Sequence, residues 1–142
     1  MSTNVPLRSL LADPSMACAG FVAEHERGEY QYAAKVLGFA AVSIDFAGCR
    51  GKDDAIARFA RALRFPEWFG GNWDALQDCL SDLSWMPADG YLLLLEHAPE
   101  WREADEESFD LALEILEQAA AAWRTERVPF WALMPVADPF SE

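Results

Sequence analysis

Basic residues are scarce in this chain. Lys and Arg number 11 against 24 Asp and Glu, which gives a formal charge of -13 and a sequence pI of about 4.4. A field of that sign repels phosphate backbones and anionic membrane surfaces, so direct nucleic-acid binding is not expected. It favours encounter with a cationic partner, although acidity also serves plain solubility. Cysteines are few as well: Cys18, Cys49 and Cys79 show no CxxC pair and no Cys/His clustering. That pattern argues against a disulfide framework and a zinc site, and predicts reduced, mostly buried thiols. No apolar run reaches membrane-spanning length. The short Leu10-Leu11-Ala12 run after Arg8 is broken by Asp13 and Pro14 before a signal core forms. A cytoplasmic protein is expected on these absences. There is no Gly-rich phosphate loop and no nucleophile motif, and His25 and His97 are isolated in sequence. The expectation is a chain with no catalytic residue, no metal and no cofactor, in which Glu96 beside His97 is a polar strand end rather than an acid-base pair.

What the chain does have is core. With 142 residues and 52% hydrophobic content it suits a single domain over 1-142. Val42, Ile44 and Phe46 alternate with Ser43 and Asp45, predicting a strand from Ala40 to Phe46. From Asp53 to Leu63, Ile56, Phe59, Ala60 and Leu63 share one face of an amphipathic helix that Pro66 closes. Gly70 and Gly71 break the chain before Asn72, a favoured N-cap, and a helix is predicted from Trp73 to Leu83. Tyr91 to Leu95 is a continuous apolar run, the signature of a strand covered on both faces. Asp105 to Trp123 forms the longest predicted helix, with Asp105 as its cap. Val128 to Met134 returns to a strand in which Pro129, lacking an amide donor, must sit at the start or an edge. Strands separated by helices predict an α/β fold with a small, largely parallel three-stranded sheet packed with helices. Ala19 to Ala23 offers a further N-terminal strand, Tyr30 to Val36 a short helix ending at Gly38, and Pro135 to Glu142 a tail.

The helix after Asn72 carries Asp74, Asp78 and Asp82 at four-residue spacing, a stripe of like charges beside the apolar stripe of Trp73, Leu76, Cys79, Leu80 and Leu83. Like charges at i,i+4 cost a few tenths of a kcal/mol, and only Asp74 sits early enough to gain from the helix dipole. A solvated face explains such a stripe equally well from spacing alone. A metal site does not, because one helix presents carboxylates along a line rather than around an ion.

The run Pro66-Glu67-Trp68-Phe69-Gly70-Gly71-Asn72-Trp73-Asp74-Ala75-Leu76-Gln77-Asp78-Cys79-Leu80 resembles the signature of the barstar family of small acidic ribonuclease inhibitors. There a Pro-Glu-aromatic-aromatic-Gly-x-Asn loop leads into an Asp-Ala-Leu-x-Asp-Cys-Leu helix. The likeness extends more weakly over 40-134, leaving 1-39 as an added N-terminal segment and 135-142 as a tail. The resemblance implies an immunity protein that plugs the active site of a barnase-type ribonuclease in a one-to-one complex. Asp78 would be the central anion facing catalytic cations and Asp74 a second anion one turn earlier. Trp68 would be an interfacial aromatic, and Gly70 and Asn72 part of the loop that shapes the helix start. Gln77 stands where the familiar inhibitor has tryptophan, which bears on partner choice. Glu114 and Glu117 are alternative positions for a peripheral contact from the later helix. The other reading is a diverged barstar-fold binding or regulatory module with a different basic protein partner. Among the remaining tryptophans, Trp73, Trp85, Trp101, Trp123 and Trp131 are expected to pack in the core.

Overall fold

The computed structural model describes residues 6-67 and 70-137. Its helices are α1 (Leu7–Ala12), α2 (Arg27–Val36), α3 (Lys52–Ala62), α4 (Trp73–Asp82), α5 (Ala98–Ala104) and α6 (Glu106–Thr125). Its strands are β1 (Ala19–Ala23), β2 (Ala40–Asp45), β3 (Tyr91–Glu96) and β4 (Phe130–Val136). The strands form one parallel sheet in the order β1-β4-β3-β2. The α/β fold and parallel sheet are as the sequence predicts, and the N-terminal strand is the fourth member.

The apolar run of β3 sits between two layers. Tyr91, Leu93 and Leu95 face a core built with α3, α4, α5 and α6, which includes Phe59, Leu76, Leu80, Trp101, Phe109 and Leu116. Leu92 and Leu94, with Trp131 and Leu133 of β4, face the other way onto Leu11 of α1 and Ala33 and Ala34 of α2. Burying side chains of this size stabilises by about 1.5–3 kcal/mol each. The N-terminal segment therefore seals a face whose exposure would cost about as much as a typical domain's entire stability. Trp131 Nε1 donates to the Leu11 carbonyl at 3.0 Å, fixing α1 to that face.

Two features differ from the prediction. The last strand runs to Val136, so Pro135 and Val136 belong to β4 rather than to a tail. Tyr91 N donates to the Pro129 carbonyl, so the odd residues of β4 face β3, and the β3–β4 ladder ends at Leu94 opposite Leu133. Pro135, which has no amide to donate toward β3, thus lies just past the end of that ladder. The second difference is α5, which fills the stretch around Trp101. It buries Trp101 completely against Phe46, 4.8 Å between ring centroids, with Trp101 Nε1 donating to Ser108 Oγ at 2.8 Å.

Candidate functional site

Helix α4 begins where the sequence places it. Asn72 is extended (φ -126°, ψ 175°) and its Oδ1 accepts from Ala75 N at 2.8 Å, satisfying one of the amides that a helix start leaves unpaired. Gly71, not Gly70, turns the chain into this cap, because its φ of +72° lies in the left-handed region that side chains disfavour. The sequence signal was the Gly-Gly pair, which does not say which member carries the turn. Gly70 and Asn72 are both exposed at the mouth of the helix.

Leu76, Cys79, Leu80 and the following Leu83 have no exposed surface, and Trp73 is partly buried against the same core. That packing turns the opposite face outward. Asp74, Asp78 and Asp82 are all exposed, with Gln77 half-buried beside them. Asp74 and Asp78 make no hydrogen bond or ion pair among the described residues, whereas Asp82 Oδ2 accepts from Ser84 Oγ at 3.2 Å. Two carboxylates one turn apart are thus held on a packed helix with their hydrogen-bonding capacity unused. Cys79 lies beneath them, and burial, with the Asp82 and Asp78 charges, pushes its thiol pKa up. It stays a neutral packing group. Trp68 lies outside the described residues.

The remaining candidates separate cleanly. Glu117 accepts from Ala19 N and so holds β1, whereas Glu114 is exposed in an open groove of about 450 Å³ on the outer face of α6, beside Glu107, Asp110 and Leu111. Glu96 and His97 do not work on each other. Glu96 pairs with Arg27, while His97 Nδ1 lies 2.7 Å from Asp45 Oδ1. Asp45 is held below its ordinary pKa by the Ala47 amide and by His97, and His97 is raised by Asp45. No group of three His, Cys, Asp or Glu suited to a metal ion occurs among the described residues, and no described helix is long and apolar enough to cross a membrane. Cys18, Cys49 and Cys79 are free, the last two buried.

A comparison with protein families matches residues 39–135 to the family described as Barstar (barnase inhibitor). A search of curated proteins finds no match. The matched stretch runs from the start of β2 almost to the end of β4 and contains the whole of α4 with its loop, while α1, β1 and α2 lie outside it. With that match spanning most of its length, the chain belongs to the barstar family.

Proposed function

We propose that this chain inhibits a basic, barnase-type ribonuclease by seating the exposed face of α4 in the nuclease's active-site cleft, in a one-to-one complex. The observation that carries this reading is the Asp74–Asp78 pair: exposed, without a hydrogen bond or ion pair among the described residues, and fixed on a helix whose other face is buried. A cleft that stabilises a phosphoryl transition state converges cationic donors on one point. Rigid carboxylates satisfy those donors without offering a scissile bond, and charge-assisted pairs are the stronger kind of hydrogen bond. Asp78 takes the central position and Asp74 the next. Gly70, Asn72 and, by its place in the signature, Trp68 shape the rim. Inhibition then needs no chemistry from the inhibitor. The formal charge of -13 speeds the approach of a basic partner. The free thiols agree with a reducing cytoplasm as the place of action.

Gln77 favours a second reading, a module that keeps the fold but binds a different basic protein. It lies half-buried beside the stripe, where a larger aromatic would add contact area. Titrating this protein into a barnase-type ribonuclease acting on RNA separates the two. Loss of cleavage at one equivalent, weakened by Asp78→Ala and by moderate salt, supports inhibition. Undiminished cleavage in the presence of folded protein sinks it and moves the assignment to the second reading.

A further inference from the structure

The two ends of α4 are held differently. Its start is capped by the side chain of Asn72, whereas its last turn is closed partly by backbone and partly from outside the helix. A helix leaves its final carbonyls without intrahelical donors. Here the residue after α4 is Leu83 in the left-handed conformation (φ 47°), a position usually given to glycine. Leu83 N donates back to the Cys79 carbonyl at 3.1 Å, and complete burial of the Leu83 side chain holds the strained residue in place. The next carbonyl, Leu80 O, is met from outside the helix: Trp123 Nε1 of α6 donates to it at 2.8 Å. The indole in turn packs on Tyr91, 5.1 Å between ring centroids, and the Tyr91 hydroxyl donates to the Met86 carbonyl at 3.0 Å. Helix α6 is itself braced from the far side, where Arg124 Nη2 donates to the Ala17 carbonyl at 2.9 Å and Glu117 accepts from Ala19 N.

Leu80 lies between Asp78 and Asp82. A donor fixed on its carbonyl therefore sets the pitch of the turn that carries the central carboxylate. We propose that Trp123 is a positioning residue for the acidic stripe: its indole holds the last turn of α4, and with it Asp78, in the orientation that binds. The consequence for affinity rests on the inhibitor reading above; the anchoring itself does not. Prefixed geometry lowers the ordering cost of association, so the effect belongs to the dissociation rate, whereas the association rate follows the unchanged charge.

Trp123→Phe keeps a ring against Tyr91 and removes the donor together with part of the indole's packing surface. Tyr91→Phe is the control, because it removes a similar side-chain bond to a carbonyl outside α4. With a barnase-type ribonuclease as probe, Trp123→Phe is expected to speed dissociation about threefold to tenfold, the equivalent of one hydrogen bond. Tyr91→Phe is expected to lower the denaturation midpoint but leave dissociation alone. In an Asp78→Ala background the Trp123→Phe effect should shrink to less than about twofold, since coupled residues are not additive. Full additivity with Asp78→Ala, or equal effects of the two aromatic variants on dissociation, overturns the proposal. A partner-free measurement keeps the two ideas apart. In Trp123→Phe the amides from Cys79 to Leu83 should exchange with solvent faster relative to those of α3, and unchanged exchange overturns the positioning role by itself. Faster exchange in a protein whose wild type inhibits no such nuclease supports the anchor and refutes the inhibitor reading instead.

Discussion

Replacing Asp78 by alanine should make the free protein more stable while it destroys binding. In the free chain the Asp78 carboxylate is exposed and has no hydrogen bond or ion pair among the described residues, so its loss removes no favourable contact there. Alanine exceeds aspartate in helix propensity by about 0.6 kcal/mol. The substitution also relieves repulsion with Asp74 and Asp82, about 0.2–0.5 kcal/mol for each pair. A gain of about 1 kcal/mol follows, which in a domain of this size raises Tm by roughly 3–5 °C. In the complex the balance reverses, because removing one partner of a desolvated charge pair strands the other. That costs about 3–5 kcal/mol, a factor of roughly one hundred to several thousand in Kd. Asp74→Ala should change stability little, since the first-turn carboxylate gains about 0.3–1 kcal/mol from the helix dipole, and should weaken binding less than Asp78→Ala. Asp82→Ala should weaken it least, since its carboxylate already serves Ser84 and its place in the motif has no matching role. Thermal unfolding paired with inhibition titrations of the three variants reads both quantities. A clear loss of stability in Asp78→Ala, or equal losses of inhibition in all three, would refute the reasoning.

The helix start gives a second test. Asn72→Ala should cost about 1 kcal/mol of stability by loss of the cap, and Gly71→Ala about 1–2 kcal/mol by forcing a side chain into the left-handed region; urea midpoints of both variants check this, and values indistinguishable from wild type would contradict the geometry. The Asp45–His97 pair gives a pH dependence. His97 has a folded pKa raised above 6.5, so its contribution is full below that value and is lost as pH rises through the raised pKa. Asp45 has a folded pKa lowered below 3.8, so its contribution is present above that value and is lost as pH falls through the lowered one. The pair therefore helps most between about pH 4 and 6.5, by only a few tenths of a kcal/mol because both groups are exposed. Urea midpoints of wild type and His97→Gln should converge as pH is raised from 5.5 to 8.5; a constant gap would count against it.

The sequence and the structure agree where one face decides. The alternation of Val42 and Ile44, the unbroken Tyr91–Leu95 run and the apolar stripe of α4 each report burial through their own period, and each element stands where it was predicted. Asp74 and Asp78 were legible as a pair because i,i+4 spacing fixes them on one side of a helix. What was not legible depends on contacts distant in sequence. α5 follows a strand end after only one residue, and its one local signal is Pro99 in the first turn. Trp123 was rightly expected to pack, but its donor role spans 43 residues and needs the relative placement of α4 and α6. The choice between Glu114 and Glu117 likewise depends on β1, which takes Glu117 for its own backbone.

Competition for the cleft tests the central claim most directly. The Kd of this protein for a barnase-type ribonuclease would be measured against rising concentrations of a mononucleotide 3'-phosphate that occupies the same active site. If α4 stands in the place of the phosphate, the apparent Kd rises linearly with nucleotide and no ternary complex forms. An apparent Kd that does not change, with nucleotide and protein bound together, would contradict active-site blocking by the Asp74–Asp78 face.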